Sequence, residues 1–140
     1  MEIRYDNSIT VTEYNNLRSS AGWGMLPTKQ AQSGIDRSDY IIAAKKEDKT
    51  IGMARVLTDS GCVALILDVV VLPEYQGNGI GNAMLQMIMS YIESNLDEGE
   101  IAYVALMAAK GKEGFYQKFG FEERPNDHHG AGMTQWIKKQ

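Results

Sequence analysis

The run VALILDVVVLPEYQGNGIGNAML, residues 63–85, limits the fold more than any other stretch. Val63–Leu72 is apolar except for Asp68, which predicts a strand buried on both faces. Gly77, Gly79 and Gly81 follow at alternate positions. From Ile80 the period becomes helical: Ile80, Met84, Leu85, Ile88, Tyr91 and Ile92 share one face, and Met87 and Met89 widen it as core filling. The order is strand, glycine turn, helix. Residues without Cβ let successive N–H groups turn inward as a nest. A helix N-terminus adds about half a positive charge and unpaired donors. Together they suit a phosphate or pyrophosphate.

The rest of the chain supplies the context. Ile3–Tyr5 reads as a short first strand, and Thr10-Val-Thr-Glu13 as a capping box that starts a helix over Val11–Ser20. The segment SAGWGMLPTKQAQSG, with Gly22, Gly24, Pro27 and Gly34, reads as irregular. Tyr40–Lys45 and Ile51–Leu57 are β-rich runs joined by EDKT, and TDSG leads into the third strand, making an antiparallel meander. Ile101–Met107 predicts another strand, followed by a short helix around Lys112–Phe119 that ends at Gly120. Phe121 onward and Gly132–Ile137 are expected to complete the sheet. The fold class is α/β (α+β), a mixed and mostly antiparallel sheet flanked by helices.

With 140 residues, no internal repeat and no Pro-, Gly- or Ser-rich linker, residues 1–140 read as a single domain. A net charge of −4 and the lack of a Lys/Arg stripe argue against nucleic acid. Cys62 has no second cysteine to pair with and reads as a small core or turn residue. MEIRYDNSITV lacks a signal-peptide core, and no run approaches the roughly 18 apolar residues of a membrane span, so a cytoplasmic protein is expected. Asp127-His128-His129 has no spaced carboxylate or thiol partner, so no metal is expected.

Two nucleotide loops fail on spacing. No Lys-Ser/Thr follows the glycines, as a Walker loop needs, and Gly77-Asn-Gly79-Ile-Gly81 departs from G-x-G-x-x-G. The pattern that fits is Q/R-x-x-G-x-G/A, as Gln76-Gly77-Asn78-Gly79-Ile80-Gly81. Here DVVVLPEYQGNGIG resembles motif A of the GNAT superfamily of acetyl-CoA-dependent N-acetyltransferases. Ala109–Phe121, with FYQKFGF, resembles that family's motif B, and the likeness covers roughly residues 36–124.

The resemblance implies a V-shaped splay between two parallel strands, Val63–Leu72 and Ile101–Met107. It implies that backbone groups of Gln76, Gly77, Asn78, Gly79, Ile80, Gly81 and Asn82 hold the coenzyme A pyrophosphate. Val69 and Val71 would pair with pantetheine like an added strand, and an N–H near Val69–Val70 would face the thioester carbonyl. Tyr116 would lie near the sulfur and protonate the departing thiolate. Two departures stand out: Ala109 replaces an asparagine that often contacts pantetheine, and Lys112 replaces a small residue.

Asp68 has two readings. A primary alkylamine of pKa about 10.4 is only about one part in a thousand neutral at pH 7, so a carboxylate could collect its proton. Equally, Asp68 interrupts an apolar strand, and a buried carboxylate needs a fixed partner. Trp23 and Met25 could line an acceptor pocket or anchor their segment to the core. Trp136 reads as core or interface. The expected reaction is direct transfer of acetyl from acetyl-CoA to a primary amine of a small molecule in a ternary complex. A protein acetyltransferase and a non-catalytic acyl-CoA sensor are the alternatives. By analogy, a homodimer is expected.

Overall fold

The computed structural model describes residues 2–139, which divide into two compact units after Leu106. The first unit holds β1 (Arg4–Asp6), α1 (Val11–Ser20), α2 (Thr28–Asp36), β2 (Tyr40–Lys46), β3 (Lys49–Thr58), β4 (Val63–Val71), a 3-10 turn (Pro73–Tyr75), α3 (Ile80–Ser94) and β5 (Tyr103–Ala105). Its sheet runs β1-β2-β3-β4-β5; every neighbouring pair is antiparallel except β4–β5, which is parallel. The expected mixed α/β fold is therefore present. Among the described residues no helix is long and apolar enough to cross a membrane.

α1 begins where the capping box puts it. The Thr10 side chain accepts from the Glu13 amide at 3.1 Å, and the Thr10 amide donates to Glu13 Oε1 at 2.8 Å. α3 buries Ile80, Met84, Leu85, Ile88 and Ile92 against β2, β3 and β4. Gly52 allows that approach: a Cβ there would lie 3.1 Å from the Val70 carbonyl oxygen and 3.3 Å from Met84 Cε. On the other face Ile9, Tyr14, Leu17, Ala31, Ile41, Met53 and Val70 form one cluster, which places α1 and α2 opposite α3.

α2 corrects the irregular reading of residues 20–34. Pro27 stands just outside its first turn, where its ring costs no helical hydrogen bond. Ala31 is buried and Ile35 packs beside it, a pair at i, i+4 that docks the helix. Gly34, read as a breaker, lies near the C-terminal end, where its carbonyl accepts from Arg55 Nη1 at 3.4 Å.

The second unit, from Met107, contains α4 (Glu113–Gln117) and a long exposed segment. Neither Phe121 onward nor Gly132–Ile137 forms a strand, which corrects that expectation. A β-rich run becomes a strand only where a partner ladder receives it. Met133, Trp136 and Ile137 are instead 90%, 91% and 88% exposed. Trp136 is therefore not a core residue. Glu122 and His129 pair at 3.1 Å, and that hydrogen bond, with one from Asn126, holds the Glu122 carboxyl below its ordinary range.

Candidate functional site

β4 is the axis of the site. Its alternation breaks once. Between the pairs Arg55↔Leu67 and Met53↔Val70, β3 supplies one residue, Ala54, and β4 supplies two, Asp68 and Val69. This is a β-bulge, which leaves one residue out of the ladder and bends the strand. Asp68 takes the left-handed conformation there, φ 53°, which aspartate tolerates better than most residues. The extra residue also reverses the pleat. Ile66 pairs with Val56, but Val70 pairs with Met53, so the two lie on opposite faces though four residues apart.

β5 accompanies β4 only over Val63–Leu65. From Ile66 to Val71 β4 is hydrogen-bonded to β3 on one side, and among the described residues no strand of the sheet flanks the other. β5, expected over Ile101–Met107, spans only Tyr103–Ala105, so β4 runs on past it with an edge that a linear ligand can extend.

That edge runs into the glycine turn. Gly77 and Gly79 have φ of 83° and 80°, and nothing lies within 4 Å of where a Cβ would be, so the turn is an open cradle. Gly79 is the N-cap of α3 and provides no side-chain cap. The amides of Ile80, Gly81 and Asn82 thus open the helix; the first intrahelical bond is the Ala83 amide to the Gly79 carbonyl, 3.0 Å. Side chains brace the loop from behind: Gln76 Nε2 donates to the Val71 carbonyl at 2.9 Å and Asn78 Nδ2 to that of Tyr75 at 3.0 Å. These backbone donors, with no carboxylate capping them, fit a pyrophosphate.

Asp68 is held by side chains from two other elements, α1 and β3. Its Oδ2 accepts from Tyr14 Oη at 2.6 Å and from Arg55 Nε at 2.7 Å, and its Oδ1 faces Arg18 Nη1 at 3.5 Å. Burial, then the hydrogen bond to Asp68, raises the Tyr14 phenol above its ordinary value, so Tyr14 stays a neutral donor. Sequence reasoning overlooked Tyr14, Arg18 and Arg55. The signal was present: Tyr14, Leu17 and Arg18 share one buried helical face, and Arg55 interrupts the apolar run of β3.

The first unit brings together Asp68, Val69, Val70, Val71 and the loop Gln76–Asn82. Tyr116 lies in the second unit, on α4, buried among aromatics: Phe115 at 5.0 Å and Phe121 at 6.2 Å between ring centroids. Burial raises its phenol above the ordinary value of 10, so it is protonated at neutral pH. A cavity of about 180 Å³, lined in part by Asp39, Thr58, Tyr91 and Glu100, opens at the far end of β4 from the glycines. Cys62 is exposed at its mouth.

Residues 37–123 match the model of the acetyltransferase (GNAT) domain. An N-acetyltransferase of Pyropia yezoensis, ycf52, uncharacterised in function, is 32% identical over 125 residues, covering 86% of this chain and 70% of that protein. GCN5-related N-acetyltransferase 2, chloroplastic, of Arabidopsis thaliana is 38% identical over 138 residues, covering 84% of this chain and 52% of that protein. A crystal structure from meticillin-resistant Staphylococcus aureus, described as a probable acetyltransferase, superposes with a TM-score of 0.85 at 32% identity, covering 99% of this chain and 100% of that one. A family match across most of the chain, joined to a strand edge that ends in an uncapped glycine nest, shows that the chain belongs to the GNAT acetyltransferases.

Proposed function

We propose that the chain transfers acetyl from acetyl-CoA to a primary amine of a small molecule, by direct attack in a ternary complex. The observation that carries this is the free edge of β4, which leads from the Asp68–Val69 bulge into the glycine cradle at the start of α3. Bound acetyl-CoA supplies the activated acyl group. The amides from Gln76 to Asn82 hold its pyrophosphate, and the backbone of Val69 and Val71 pairs with pantetheine. The bulge withdraws one amide beside Val69–Val70 from the ladder, and an N–H there is the donor for negative charge developing on the carbonyl oxygen.

Tyr116 is the proposed general acid. A phenol kept protonated by burial can hand its proton to the departing sulfur, a step typically worth about 10²-fold or more. For Asp68, donors on both carboxylate oxygens support the anchoring role over that of proton acceptor. The matched region crosses the junction between the two units, which supports one functional domain. A homodimer belongs to the same proposal, since an interface would cover Met133, Trp136 and Ile137. So does a cytoplasmic location; the chloroplastic Arabidopsis relative supplies the alternative that fractionation would report.

Calorimetry with coenzyme A tests the cradle, and no binding at high micromolar ligand overturns the reading. Thiol release with a panel of small amines separates an enzyme from a sensor. Acetylation of peptides with every small amine inert would favour a protein acceptor.

A further inference from the structure

The Asp68 cluster does more than neutralise itself. Beyond Asp68, Arg18 Nε donates to the Gly24 carbonyl at 3.1 Å and Nη2 to the Trp23 carbonyl at 3.4 Å. Its Cζ lies 5.8 Å from the Trp23 ring centroid and 6.0 Å from that of Tyr14. The side chains of Arg18 and Asp68 are each only 10% exposed. One buried guanidinium therefore spans from the β4 bulge to the backbone of the α1–α2 loop.

Leu26 packs the far end of that loop against the core, but the turn before it has little packing. Gly22 and Gly24 have φ of 80° and 75°, with nothing within 4 Å of a notional Cβ. Hydrogen bonds give it its shape. Besides the Arg18 clamp, the Trp23 amide donates to the Arg18 carbonyl at 3.0 Å, and Asn15 exchanges two 3.0 Å bonds with Leu26. Between these anchors Trp23 is 42% and Met25 69% exposed. An aromatic and a thioether thus stay open to solvent on a loop tied to the strand that carries the reaction.

Building on the acetyltransferase reading above, we propose that Arg18 is a positioning residue for the acceptor. By bridging Asp68 to the carbonyls of Trp23 and Gly24, it holds the 21–27 loop as the acceptor-side wall. Trp23 is then the contact that selects a primary amine on an aromatic or apolar body. Two guanidiniums against one carboxylate leave excess positive charge beneath the loop, which works against a second ammonium on the acceptor.

The clamp is tested without any substrate. In a Trp136→Phe background Trp23 is the sole tryptophan, and Arg18→Lys should raise its acrylamide quenching constant about twofold, because a lysine cannot bond both carbonyls and Asp68 together. An unchanged constant overturns the clamp. The acceptor class is tested with phenylethylamine against putrescine. Phenylethylamine should be the better substrate, and Trp23→Ala should raise its KM about tenfold with kcat and coenzyme A affinity unchanged. Preference for putrescine, an unmoved KM, or neither amine acetylated while coenzyme A binds overturns the assignment. Loss of coenzyme A binding in the wild type would instead overturn the acetyltransferase reading. If Arg18→Lys does not fold, Arg18→Gln takes its place in the quenching arm, and the Trp23→Ala arm, at a half-exposed residue, still decides the acceptor class.

Discussion

The chain adopts left-handed backbone at two points along one path, at Asp68 within β4 and at Gly77 and Gly79 just beyond it. The two are held in opposite ways. At the loop, glycines make the conformation cheap and nothing packs where a side chain would be. At the bulge, a residue with a side chain is held by Tyr14, Arg18 and Arg55. The loop is local and open, as the proposed backbone cradle for an anion requires. The bulge is imposed from a distance and buried. A site that binds with bare amides can be written in a short motif, whereas one that aims a strand needs partners from α1 and β3.

Asp68→Ala should separate the two most sharply. It strands two buried guanidiniums, and the expected loss is about 3–5 kcal/mol of stability, read as a fall in the urea midpoint. A loss near zero would mean the bulge, like the loop, is held by its own backbone.

Tyr116→Phe tests chemistry apart from both. kcat should fall about 10²-fold, with coenzyme A affinity and urea midpoint little changed. Because burial raises this phenol above 10, the acid form persists through neutral pH, and the wild type should lose this contribution only as pH rises past 10. The buried phenols of Tyr14 and Tyr116 also link to stability. The unfolded chain ionises them first, so the fold should weaken above pH 10 and not below it.

Gly79→Val addresses the loop. A left-handed conformation costs an L-residue about 1–2 kcal/mol, and a β-branched side chain suffers most. Coenzyme A affinity should therefore drop about tenfold while the urea midpoint moves far less than in Asp68→Ala. Equal shifts in both would erase the distinction between cradle and bulge. The smallest effect is expected at Thr10→Ala, about 1 kcal/mol from loss of a cap, with coenzyme A affinity intact.

Much of this is legible from residues alone. The capping box placed α1 at its observed bounds, Val11–Ser20, because both partners lie within one turn. The meander, the α3 stripe and the glycine turn were equally plain, since their periods and punctuation are short-range. α2 was missed because Gly34 and Pro27 outweighed the Ala31–Ile35 pair that docks it. The tail was misread for the converse reason: Gly132–Ile137 has a strand's composition, but no neighbouring strand receives it among the described residues.

What the sequence determined by itself was the strand, the glycine cradle and the helix behind it, because those depend on residues within a turn of one another. The folded chain alone shows which side chains surround Asp68. A lone carboxylate in an apolar strand is compatible with a proton acceptor or an anchor. Its partners, Tyr14, Arg18 and Arg55, lie 54, 50 and 13 residues away in sequence, at about the distance of a single hydrogen bond in space. Long-range electrostatic pairing of that kind leaves no periodic trace in a chain, so it becomes visible only when α1 has been laid against the sheet.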